Sequence, residues 1–207
     1  MKINNNKKIK GFTLLEMVIS IAIFAFLTAF LVAKYGSFNQ GVLLTNLAYD
    51  VALTIRNAQS YGLNVKSLPT SDSNYSDQFN TAYGVHFSAV SPNNNNMIFF
   101  ADLNNNQSYD SSPTDEKISV STFKRGFVID RICAVGTTGF CDNNLTMNSL
   151  DITYKRPDPD AVILAVWTSG GAPARTNSAI ISLRSGNDSA NLKMIKVSSV
   201  GQITVMK

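Results

Sequence analysis

Three sets of residues in this 207-residue chain have the types and spacing for chemistry. The first is Glu16, the only charge in the 22-residue apolar run Phe12–Ala33. A carboxylate at the centre of a bilayer costs on the order of 2.5–3.5 kcal/mol or more, so such a residue usually has a partner and a task. The second is the pair Cys133 and Cys141, close enough in sequence to close a small loop around Gly136 and Gly139. On the exported side of a membrane this spacing predicts a disulfide. Zinc is disfavoured, because His86 is the only histidine and no four-ligand spacing exists. The third is Asp102, Asn104, Asn106 and Asp110, with Asp115 or Glu116 beyond. Oxygen side chains alternating in a tight loop could converge on calcium. Gln107 stands where an EF-hand has glycine and Pro113 where it has glutamate. Asn- and Asp-rich loops also arise from turn preference alone.

Catalysis has little to build on. There is one histidine, no expected free thiol and no usefully spaced glutamate pair. His86 reads as a solvated or packed strand residue. Ser169-Gly170-Gly171 lacks the strand–turn–helix setting of a nucleophile elbow. The sequons at Asn74, Asn106, Asn144 and Asn187 are expected by chance in an Asn-rich chain. No cofactor other than a calcium ion is expected.

The elements that position these residues begin with the apolar run. It is long enough to cross a bilayer as one helix. Lys2, Lys7, Lys8 and Lys10 precede it without an acid, which holds the N-terminus in the cytoplasm and sends the rest across. An ordinary secretory signal has a shorter core and a small-x-small cleavage site. Here the run ends in Leu31-Val-Ala-Lys-Tyr-Gly36, a poor site. From Phe12 onward 14 basic residues face 14 acidic ones, so no basic patch survives beyond the leader and no nucleic-acid partner is expected.

The stretch Lys10-Gly11-Phe12-Thr13-Leu14-Leu15-Glu16 resembles the type IV pilin family, which includes the pseudopilins of type II secretion. A basic leader ends in glycine, an aromatic follows, and a glutamate sits five residues into the product. The resemblance implies cleavage after Gly11 by a prepilin peptidase and N-methylation of Phe12. It implies assembly through Phe12 and Glu16 into a filament, alone or with other pilin subunits, on a platform in the inner membrane. The expected location is a single-pass inner-membrane protein with an extracytoplasmic head, then an extracellular pilus or pseudopilus. Tyr49-Asp50-x-Ala52, Ile55-Arg56, Ala58-Gln59, Tyr61-Gly62, Ile195-x-Val197-Ser198 and Gly201-x-Ile203-x-Val205 further resemble the H-type minor pseudopilin. Some members of that group bind DNA through a basic tail. Here the tail has a lone Lys207. A membrane-anchored extracytoplasmic binding module is the alternative from a different class.

The helical pattern continues past the membrane. Leu44, Leu47, Val51, Ile55 and Ala58 recur at spacings of three and four, with Gly62 as a stop and no proline between 12 and 62. Gly36 and Gly41 are the weak points. After a polar loop over 64–80, short strands are expected at 83–87, 97–101, 117–123, 126–134, 150–155, 161–168, 179–184, 191–198 and 202–206. The fold class is α+β: one long N-terminal helix, membrane-spanning then amphipathic, on a β-rich head. The expected divisions are a leader 1–11, a spanning half 12–34, an amphipathic half 35–62 and a head 63–207.

Overall fold

Helix formation begins where the sequence first offers a cap. Thr13 precedes Leu14, and the helix α1, Leu14–Leu63, runs 50 residues from there. The computed structural model describes residues 11–64, 80–111, 116–135, 141–169, 172–186 and 188–206. The leader lysines, most of the 64–80 loop, Pro113, Asp115, Gly136, Gly139, Gly170, Gly171, Asn74, Asn187 and Lys207 lie outside these residues. The chain divides after Gly41 into two compact units.

In the first unit the apolar side chains of α1 are exposed. Phe12, Phe24, Phe26, Leu31 and Val32 are all more than two-thirds exposed. The polar residues of the run are satisfied locally. Ser20 Oγ donates to the Glu16 carbonyl at 2.7 Å and Thr28 Oγ1 to the Phe24 carbonyl at 3.0 Å. Such back-bonding leaves no orphan hydroxyl for a hydrocarbon surround. It is the one described helix long and apolar enough to cross a membrane.

The second unit begins at Val42. There α1 buries Leu44, Ala48, Val51, Ile55 and Ala58 against a 10-stranded antiparallel sheet. The stripe passes through Ala48 where Leu47 was expected; Leu47 is only partly buried. Small residues let the helix axis approach the sheet closely, and Gly62 takes this furthest. A Cβ there would lie 2.3 Å from the Tyr154 carbonyl oxygen. The contact is closed by the Arg156 N–H, which donates to the Gly62 carbonyl at 3.1 Å.

The strands are β1 Ala82–Ser88, β2 Asn96–Asp102, β3 Lys117–Thr122, β4 Phe127–Val135, β5 Cys141–Lys155, β6 Asp158–Trp167, β7 Ala174–Arg175, β8 Ser178–Ser185, β9 Asp188–Ser198 and β10 Ile203–Met206. The path β10-β9-β8-β4-β5-β1-β2-β3 carries β6 and β7 as a branch from β5. Two expectations are corrected. β5 starts at Cys141, nine residues before the predicted strand, because Cys141 and Thr146–Met147 pair with β4. The two-residue β7, held by β6, carries too little pattern to be read from sequence. β3 shows the opposite limit. Its Ile118/Val120 alternation suggests a buried face, yet all six residues are exposed at the end of the sheet path.

Candidate functional site

The N-terminal end is built by reciprocal capping. Thr13 Oγ1 accepts the Glu16 N–H at 3.3 Å, and Glu16 Oε2 accepts the Thr13 N–H at 3.4 Å. This is the Ser/Thr-x-x-Glu capping box, which satisfies two of the four orphan donors at a helix start. The sequence reading missed this role, though Thr13-x-x-Glu16 before an apolar run is its signature. Glu16 therefore has a local task in the isolated chain. Its capping bonds are long and exposed, so the carboxylate stays accessible to a second group. Phe12, directly before the cap, is 83% exposed.

The loop from β2 to β3 shows what Asp102, Asn104, Asn106 and Asp110 do. Asp102 is buried, and its two oxygens accept the N–H groups of Asn106 at 3.1 Å and Gln107 at 3.0 Å. Glu116, also buried, accepts the N–H groups of Leu103 at 2.9 Å and Asp110 at 3.0 Å. Asp110 Oδ2 accepts the side-chain amides of Asn104 and Asn106. The amide oxygens of Asn104 and Asn106 accept the N–H groups of Asn106 and Ser108. Burial pushes the Asp102 and Glu116 carboxyls above their usual range, against the pull of the N–H donors. Asn105 and Gln107 turn the chain with φ of 60° and 68°. Asn105 is fixed by Lys155 Nζ at 2.6 Å and Gln107 by the Arg175 guanidinium at 2.6 Å.

Each candidate ligand thus spends oxygen on N–H donors of its own loop. No group of three His, Cys, Asp or Glu side chains among the described residues is disposed to hold a metal ion. In this arrangement those oxygens hold the loop's own turns. Millimolar calcium and EGTA are expected to give the same melting curve for the detergent-solubilised chain, followed by its single tryptophan, Trp167. Asp102→Ala should destabilise in both conditions, because it removes the acceptor of two part-buried N–H bonds, each worth about 1 kcal/mol or more. A calcium-dependent rise in melting temperature, abolished by Asp102→Ala, would return the ion to this loop.

The chain matches a family model described as the prokaryotic N-terminal methylation motif over residues 6–32. It covers Gly11, Phe12 and Glu16 and the first two-fifths of α1. That motif is the signature of type IV pilins and pseudopilins, and this chain carries it. No curated protein and no solved structure matches it. The motif marks a structural subunit and implies processing by a prepilin peptidase. One N-terminal apolar helix together with the motif is consistent with an inner-membrane prepilin.

Two features of the β-rich head remain. Cys133 and Cys141 form a disulfide, with Cα atoms 5.5 Å apart, tying β4 to the start of β5. The short loop limits its entropic benefit to roughly 2–3 kcal/mol. Reduction should therefore lower the melting temperature by roughly 4–12 °C. An unchanged melting curve, or free thiols in a non-reducing peptide map, would contradict this. His86 and Asp151 face each other across β1 and β5, with Nδ1 and Oδ1 at 2.7 Å. Ser108 Oγ donates to the other Asp151 oxygen at 2.9 Å. The serine thus sits on the carboxylate and not on the imidazole, which is no nucleophile–base relay. It pins the loop to the sheet instead, with the Tyr109 ring 5.2 Å from that of His86.

Proposed function

We propose that this chain is a type IV pilin-like filament subunit, cleaved after Gly11, methylated on Phe12 and polymerised from the inner membrane into an extracellular fibre. Residues 12–34 would span the membrane before assembly, 35–62 would continue the helix, and 63–207 would form the extracytoplasmic head. The observation that carries this reading is the first unit itself. It exposes apolar side chains along α1, broken by one carboxylate, Glu16, and one ammonium, Lys34. Such a surface needs an apolar surround, first lipid and then the helices of other subunits. The inner-membrane assembly platform and other pilin subunits are the partners this requires.

Electron microscopy of sheared surface filaments, with intact-mass measurement of their main subunit, tests it. The expected subunit lacks residues 1–11 and carries one added methyl. A mature chain beginning at Met1 or near Lys34 would refute the processing. A processed subunit confined to the membrane, with secretion lost on its deletion, would make it a type II pseudopilin.

A further inference from the structure

Building on the filament reading, we propose that the groove between α1 and β10 receives the apolar helix of a second copy, with that copy's Lys34 paired to Asp50. The groove, about 600 Å³, is lined by Tyr49, Asp50, Leu53 and Arg56 from the helix and by Ile203 and Val205 from β10. β10 ends the sheet path, bonded on one side by β9. Tyr49 and Leu53 are 60% and 59% exposed, so the groove offers apolar surface with one acid in it.

An apolar occupant with one cation placed at Asp50 would match this groove. Residues 12–41 meet that description: Lys34 is their only basic residue, with Leu27, Phe30, Leu31 and Phe38 at helical spacing around it. Neither Lys34 nor the Asp50 carboxylate has a side-chain hydrogen bond or ion pair among the described residues. The Arg56 guanidinium is turned along its own helix, donating to Gln59 Oε1 at 2.8 Å, and leaves Asp50 open. A lone ammonium in an apolar contact is costly, and an opposing carboxylate offsets much of that cost. The helix carries only four charges from Phe12 to Leu63: Glu16, Lys34, Asp50 and Arg56.

Because the two partners occupy different positions, the contact is heterologous. Each copy offers Lys34 to one neighbour and Asp50 to another, so the contact propagates without closing a dimer. It sets neighbouring helices sixteen residues out of register.

Cysteine cross-linking of the full chain tests this, in cells with a prepilin peptidase and an assembly platform. The double variant Lys34→Cys/Asp50→Cys should give, on oxidation, a ladder of dimers, trimers and higher species. Each single variant should stay monomeric. Monomer from the double variant, dimer alone, or a ladder from either single variant overturns the proposal. Charge reversal provides a second reading without new thiols. Lys34→Glu and Asp50→Lys should each lower filament yield at least tenfold, and their combination should restore it to within threefold. Singles at wild-type yield, or a double no better than the singles, count against the pair. A ladder without wild-type filaments would refute the filament reading and leave the contact standing. Filaments without a ladder would do the reverse.

Discussion

Glu16→Ala is expected to leave membrane insertion and cleavage intact while reducing surface filaments to a few per cent of wild type or less. Cleavage after Gly11 would leave a positive amine on Phe12, four residues before Glu16 on the same helix end. In an axially staggered assembly, the incoming amine can meet the Glu16 carboxylate of a subunit already docked. Two isolated charges in an apolar core are costly, and a matched pair offsets much of that cost, so the pair serves register more than net stability. The capping box supplies a competing account, since alanine also removes the acceptor of the Thr13 N–H. Loss of a cap costs about 1 kcal/mol, too little to abolish assembly by itself. Glu16→Gln separates the two, because glutamine serves a capping box and carries no charge. Charge pairing predicts that Gln fails like Ala; capping alone predicts that Gln assembles normally. A snorkelling carboxylate, the remaining reading, predicts normal filaments from both. Counting filaments by electron microscopy at matched levels of processed subunit decides among them.

The largest effect in the head is expected at Gly62. An added Cβ would meet the Tyr154 carbonyl oxygen at 2.3 Å and its carbonyl carbon at 2.7 Å. Both are backbone atoms of β5, and Tyr154 is fully buried, so neither side can yield cheaply. Overpacking typically costs 1–3 kcal/mol and occasionally more, so Gly62→Ala should destabilise by about 3 kcal/mol. That corresponds to a melting temperature lower by roughly 6–12 °C, followed by Trp167 fluorescence. The same substitution at Gly36 is the contrast. Nothing lies within 4 Å of a Cβ there, and alanine favours a helix interior by about 1 kcal/mol over glycine. Gly36→Ala should therefore leave the head's melting unchanged. Equal melting of the Gly62→Ala and wild-type chains would mean that the helix end can lift from β5.

Much was legible in the residues themselves. The apolar half of the helix follows from an unbroken apolar run, and the amphipathic stretch from spacings of three and four, because helix periodicity is a local property. Leader chemistry and Glu16 are likewise short-range: Gly11, Phe12, Thr13 and Glu16 lie within six positions. Most strands announced themselves through β-branched and aromatic residues between turn signals. The cysteine pairing followed from two thiols close in the chain. What local pattern cannot contain is which distant backbone a residue meets. Gly36 and Gly62 are the same residue in the same helix, and only the position of β5 makes one tolerant and the other not. The oxygens of Asp102–Asp110 could have converged on an ion or turned to N–H groups; the fold of the loop against Lys155, Arg175 and Asp151 turned them to N–H groups. His86 acquired its partner from a strand 65 residues away. Local pattern set the apolar helix, the methylation motif and the alternation of elements, because each rests on neighbours along the chain. Strand register, the close approach at Gly62 and the hydrogen-bonded head loop were decided only by tertiary packing, because each needs a partner that sequence spacing does not name.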